Sequence, residues 1–135
     1  MPIIRQKYGT DEKFCCVELE SFSKDWKKAG LTDEDLRLLE ITVAITPEIG
    51  DVISGTESLR KIRIAMPGRG KRGGARVIYV NVPKYAYTVF LYFYPKNKDP
   101  DLSDELKLKL SKLVKQLEEQ IRNNFFRKKG KKNDK

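Results

Sequence analysis

Residues 59–82 read L-R-K-I-R-I-A-M-P-G-R-G-K-R-G-G-A-R-V-I-Y-V-N-V, and the fold class follows from how this stretch divides. In Leu59–Met66, Ile62, Ile64 and Met66 share one parity while Lys61 and Arg63 share the other. Alternation of that kind is the period of a half-buried strand. A glycine-rich basic loop, Pro67–Gly74, returns the chain into a second strand, Ala75–Val82. A third, Ala86–Tyr94, is apolar on both faces, as expected at the centre of a covered sheet. Connections this short join antiparallel neighbours.

Toward the N-terminus, Phe14–Phe22 begins apolar and alternates from Val17 onward, which fits a first strand. Ser23–Trp26 opens a short helix ending near Gly30. Thr32 then reads as an N-cap, with Asp33, Glu34 and Asp35 in the first turn, where the helix dipole favours negative charge. The run I-T-V-A-I-T at 41–46 is β-branched and suits a strand as well as a helix. The cap, the spacing of Leu36, Leu39 and Val43, and the stop signals Pro47 and Gly50 favour helix.

Toward the C-terminus, Asp101–Glu105 starts a long helix whose apolar stripe is Leu102, Leu106, Leu110, Leu113, Leu117, Ile121 and Phe125. The order β-α-α-β-β-β-α describes an α+β domain: a small twisted antiparallel sheet with helices packed on one face. The domain is expected to span residues 1–126, and the basic segment 127–135 reads as a disordered tail.

The chain has 135 residues, the size of one domain, and a formal net charge of +9. The charge is unevenly distributed. Residues 1–59 carry 7 basic and 12 acidic side chains, whereas residues 60–76 carry 7 basic and none acidic. Residues 122–135 carry 7 basic and 1 acidic. Two such blocks point to a polyanionic partner, most often nucleic acid.

Several chemistries are excluded by composition. There is no His, which removes imidazole acid–base catalysis, Ser-His-Asp and Cys-His nucleophiles, and His-ligated zinc. The two cysteines, Cys15 and Cys16, are adjacent; neighbours on a strand point to opposite faces, so a bridge between them would be strained. Free thiols imply a reducing compartment. With no apolar stretch of signal-peptide or membrane-span length, a cytoplasmic location is expected.

The loop at 67–74 contains a formal G-x-G-x-x-G at Gly68, Gly70 and Gly73. A dinucleotide site needs a helix to start there, and a strand follows instead. The stretch Arg72–Tyr79 echoes an RNA-recognition strand, but Gly74 and Arg76 occupy two of its stacking positions, so the aromatic platform is missing. The bland reading of the loop is a flexible, solubilising hairpin connection. Arg69, Lys71 and Arg72, flanked by Arg60, Lys61, Arg63 and Arg76, fit contacts to a phosphate backbone better. Seven of thirteen aromatics fall between Tyr79 and Tyr94, chiefly as core packing; Tyr92, Tyr94 and Lys96 share a parity if the strand continues past Pro95.

From Gly50 to Leu102 the chain resembles the RelE/ParE superfamily of toxin–antitoxin proteins, most closely the HigB-type members of the RelE branch. The resemblance rests on G-D-V-I-S-G-T-E-S-L-R-K-I-R-I-A, then G-R-G-K-R-G-G-A-R-V-I-Y, then F-Y-P-K-N-K-D-P-D-L-S. It implies a ribosome-dependent endoribonuclease that cuts mRNA in the decoding site without a cofactor or metal. Its partners would be the ribosome with bound mRNA and a helix-turn-helix, HigA-like antitoxin. By motif position, Lys61 and Arg63 match the basic catalytic pair, and Arg76 matches the phosphate-contacting arginine. Tyr94 and Lys96 match the region that supplies a further basic group. Glu57-Ser58, where glycines are common, and Pro95 depart from the pattern.

RNA cleavage can use the substrate's own 2′-hydroxyl as nucleophile. The protein must then supply alignment and positive charge around the phosphorane. Without His, proton transfer falls to Lys, Tyr, or a ribosomal or substrate group, with Lys61 or Lys96 the candidate base. Two other functions fit the same residues less well: a ParE-like gyrase inhibitor without nuclease activity, and a non-catalytic RNA-binding module. Taken singly, a cation on a strand face is ordinarily a solubilising residue; clustering is what raises these above that reading.

Overall fold

The computed structural model describes residues 3–8, 15–56, 58–66, 74–95 and 102–133, with side chains described for 16–56, 58–66, 74–95 and 102–124. Its elements are β1 (Ile3–Tyr8), β2 (Cys15–Leu19), α1 (Glu20–Lys28), α2 (Asp33–Ile45), β3 (Asp51–Val52), β4 (Leu59–Ile64), β5 (Ala75–Val82), β6 (Tyr87–Pro95) and α3 (Asp104–Asn133). A 3-10 turn, Pro83–Tyr85, joins β5 to β6. The strands form one sheet in the order β1-β2-β6-β5-β4-β3.

The hairpin read from residues 59–82 is present. β4 and β5 pair antiparallel, with Arg63 opposite Arg76 and Lys61 opposite Ile78. β5 then pairs antiparallel with β6, with a register shift after Ile78 that leaves Leu91 without a cross-strand partner. Two strands lie beyond the sequence reading, β1 and the two-residue β3. One pairing also differs from an all-antiparallel sheet: β2 runs parallel to β6. Hairpin logic does not reach that pair, because two helices and three strands separate its members in sequence.

Helix α1 buries Phe22 and Trp26, one turn apart. Their rings stack 5.5 Å apart, and they meet Phe90 at 5.8 Å and Phe93 at 5.5 Å respectively, so α1 packs across β6. Gly30, at φ +86°, ends the helix: its N–H reaches the Lys27 carbonyl and that of Leu31 reaches Trp26, a left-handed stop that glycine adopts without strain. The Trp26 indole then donates to the Thr32 carbonyl at 3.0 Å, tying α1 to the start of α2.

Thr32 caps α2 as the sequence indicates. Its hydroxyl accepts from the Asp35 N–H at 3.2 Å, and the Asp35 carboxylate accepts from the Thr32 N–H at 2.8 Å. The β-branched run 41–45 is helical, with Leu36, Leu39 and Val43 buried. Tertiary burial of one face and a good cap outweigh the strand propensity of the run.

The long helix starts where Ser103 accepts from the Leu106 N–H at 3.1 Å. It buries Leu110, Val114, Leu117 and Ile121. It lies beside Leu59, which pairs with Val80 and so sits on the sheet face opposite Tyr79. The helices therefore cover both faces rather than one: α1 and α2 on the Tyr79 side, α3 on the Leu59 side. Helix α3 also continues through Asn133, into the segment whose composition reads as a disordered tail. Lysine and arginine are good helix formers, and cations near a helix C-terminus complement its dipole. Among the described residues no helix is long and apolar enough to cross a membrane.

Candidate functional site

Alternation along β4 and β5 sorts the cations into two groups. Leu59, Lys61 and Arg63 point to the α3 side; Arg60, Ile62 and Ile64 point to the α1–α2 side. Arg63 stands opposite Arg76, and Arg76 stands opposite Tyr94. Directly opposed residues on antiparallel strands have Cα atoms only about 4.5–5.5 Å apart. Two guanidinium-bearing residues and a phenol thus form one row across three strands. Lys61, Ile78 and Tyr92 form the next row, and the Tyr92 and Tyr94 rings lie 5.5 Å apart.

Like charges set opposite one another destabilise a sheet. Here nothing in the described structure relieves that: no ion pair among the described residues involves Lys61, Arg63 or Arg76. Arg63 is exposed and Arg76 half-buried, and the Arg76 Nη1 is enclosed with no hydrogen-bond acceptor among the described residues. Guanidinium is a fork of donors shaped for carboxylate or phosphate. A row of this composition can hold an anion at the Arg76 fork, with Arg63 neutralising charge from the opposite strand. Among the described residues no group of three or more Cys, Asp or Glu converges as a metal site.

Arg60 is not part of this row. Its Nη1 donates to the carbonyl oxygens of Gly50 at 2.6 Å and Glu48 at 3.2 Å, so it fastens the α2–β3 turn to β4. Its parity with Ile62 and Ile64 is the sequence signal for that placement. Lys96, Arg69, Lys71 and Arg72 lie outside the described residues.

One positioning group escaped the sequence reading. Tyr79, fully buried, accepts from the Gly50 N–H at 2.8 Å and donates to the Pro47 carbonyl at 2.9 Å. Asn81 donates to the same carbonyl at 2.7 Å, and Thr88 donates to Asn81 at 2.8 Å. Burial pushes the Tyr79 phenol above its ordinary range, opposed in part by the Gly50 hydrogen bond and by Arg60. A Cβ on Gly50 would stand 2.8 Å from the Tyr79 ring and 3.0 Å from the Lys61 carbonyl. Only glycine lets this turn close against the strand that carries Lys61 and Arg63. The sequence shows Tyr79 as a core aromatic; its hydroxyl partners come from a turn 29 residues away.

A family model described as "RelE toxin of RelE / RelB toxin-antitoxin system" matches residues 18–133. Among solved structures, the chain is similar to an arginine double mutant of the E. coli toxin RelE in the free state. The match has 19% identity, covers 65% of this chain and 87% of that one, and has a TM-score of 0.48.

Proposed function

Since the chain belongs to the RelE toxin family of toxin–antitoxin systems, we propose that it is a ribosome-dependent endoribonuclease that cuts mRNA in the decoding site and so stops translation. Within the family its motifs are nearest the HigB type, and a helix-turn-helix antitoxin is the partner that silences it. The observation that carries the reading is the Arg63–Arg76–Tyr94 row, with a guanidinium nitrogen enclosed and lacking an acceptor among the described residues.

In the proposed reaction the ribose 2′-oxygen attacks the adjacent phosphorus as its proton leaves. The P–O5′ bond breaks, a 2′,3′-cyclic phosphate forms, and the 5′-oxygen gains a proton. Negative charge builds on the non-bridging oxygens at the phosphorane. The Arg76 guanidinium donates to one of them, and Arg63 and Lys61 lower the energy of that charge from β4. Donors fixed before the reaction stabilise the transition state without reorganising. Tyr94 stands opposite Arg76 on β6, and Lys61 and Lys96 are the candidate proton carriers.

The test adds the purified protein to translating ribosomes and maps the mRNA. The reading expects cuts at the vacant decoding site, lowered by about 10²–10³ in Arg63→Ala and in Arg76→Ala. Unchanged cutting in both variants rejects the assigned row. Intact mRNA together with inhibited gyrase supercoiling would indicate a ParE-like protein-binding toxin, and RNA binding without any product would indicate a non-catalytic module.

A further inference from the structure

The sheet face that carries Lys61 and Arg63 does not end at Lys61. One alternation step along β4, Leu59 begins a groove of about 290 Å³ between the β3–β4 connection and α3. Thr56 and Ser58 line it from the connection, and Ser111 and Lys115 from the helix, with Glu118 at the far end. Lys107 joins them: its Nζ would lie 3.8 Å from a Cβ on Gly55, so its side chain runs along that glycine's backbone. Lys107, Ser111 and Lys115 recur every four residues and share one helix face, with the two lysines about 12 Å apart along the axis.

The charges on this face are also disposed differently from those next to it. Lys109 pairs with Glu105 at 4.0 Å. No described ion pair involves Lys107 or Lys115. Leu108, 57% exposed, lines the same groove and offers an apolar surface beside the lysines. Unpaired ammonium groups, hydroxyls and an apolar patch in a channel suit a sugar–phosphate strand: cations for phosphates, hydroxyls for ribose, and the leucine for a base or sugar face.

We infer that this groove holds the RNA strand on one side of the scissile phosphate, with Lys107 and Lys115 contacting backbone phosphates. The inference rests on the nuclease reading above for what lies next to the groove. Glu118 marks where the strand leaves, because a carboxylate repels phosphate.

The test reads binding, not cutting. The full chain is titrated against a short single-stranded RNA whose 2′-hydroxyls are methylated, across a salt series. Each phosphate contact on a single strand contributes about 0.7 to the slope of log affinity against log salt, so the Lys107→Ala/Lys115→Ala pair should flatten that slope by about 1.4. Lys107→Arg/Lys115→Arg should keep the wild-type slope, and Glu118→Gln should tighten binding. Thermal melts confirm that the variants fold. An unchanged slope in the alanine pair overturns the inference, as does absence of measurable RNA binding by the wild-type chain. If the alanine pair weakens antitoxin binding while the RNA slope stays, the groove takes protein and the inference is equally overturned. A wild-type chain with a lysine-dependent slope that cuts no mRNA on ribosomes sinks the nuclease reading alone. One that cuts with a lysine-independent slope sinks this inference alone.

Discussion

Arg60 and Arg76 belong to neighbouring strands of one hairpin, yet they occupy opposite electrostatic situations. On the α1–α2 face, Arg60 directs Nη1 at two backbone carbonyls and closes a turn. On the other face, Arg76 holds an enclosed Nη1 with no acceptor among the described residues, directly across from a second arginine. A buried donor without a partner costs free energy, whereas a donor on two carbonyls contributes it. The same side chain therefore serves folding on one face and is held against folding on the other. Positive charge in a cluster says little until parity sorts it.

The sharpest way to break this comparison is to remove the unsatisfied side. Arg76→Ala and Arg63→Ala should each lower mRNA cleavage on ribosomes by about 10²–10³, the effect of losing one transition-state donor. Thermal stability should hold or rise, because the opposed like charges are relieved; a large loss of stability together with activity would show that the row is structural. The converse variant, Arg60→Ala, should cost about 1.5–3 kcal/mol in urea unfolding, the worth of hydrogen bonds from a charged group. Cleavage by the folded fraction should be retained.

Tyr79→Phe strips the hydroxyl that joins Gly50 to Pro47 and should cost about 1–3 kcal/mol. It also carries a pH signature. In the unfolded chain the phenol ionises near its ordinary 10.0, and in the folded chain only at higher pH. Its contribution is therefore full below pH 10.0 and declines as pH rises beyond it. Urea midpoints of wild type minus Tyr79→Phe, followed from neutral to alkaline pH, should show a difference that is flat and then shrinks. The smallest effect belongs far from both arginines: Thr32→Ala removes one side of the α2 capping box and should cost about 1 kcal/mol, with cleavage unchanged.

Much of the site was legible because strand alternation and a tight return are local rules. Residues 59–66 alternate, which set Lys61 and Arg63 on one face and left Arg76 for the neighbouring strand; the pairing of Arg63 with Arg76 comes from the structure. The Thr32 cap was legible for the same reason, its two hydrogen bonds lying within one helical turn. What the residues did not disclose depends on distant partners. Nothing in Tyr79 names Pro47 and Gly50 as the ends of its hydrogen bonds, and nothing in Cys15–Leu19 names Tyr87–Phe90 as a parallel neighbour. β3 is two residues long, below any period, and exists only because the turn held by Arg60 lays it against β4. At the C-terminus two local rules pull apart: composition reads as solvated tail, while α3 runs on to Asn133 with the propensity of lysine and arginine.

The parallel pairing of β2 with β6 sets a timetable for the newborn chain. The strand completed last, β6, occupies an interior position between β2 and β5, so β1 and β2 cannot join the rest of the sheet until Pro95 has left the exit tunnel. Until then Val77, Tyr79 and Val80, all buried in the finished sheet, lack the strand that covers their edge. A nascent chain or a fragment ending before β6 has no Arg76–Tyr94 pair and no closed core. The Arg63–Arg76–Tyr94 row is thus complete only after most of the chain's synthesis is done.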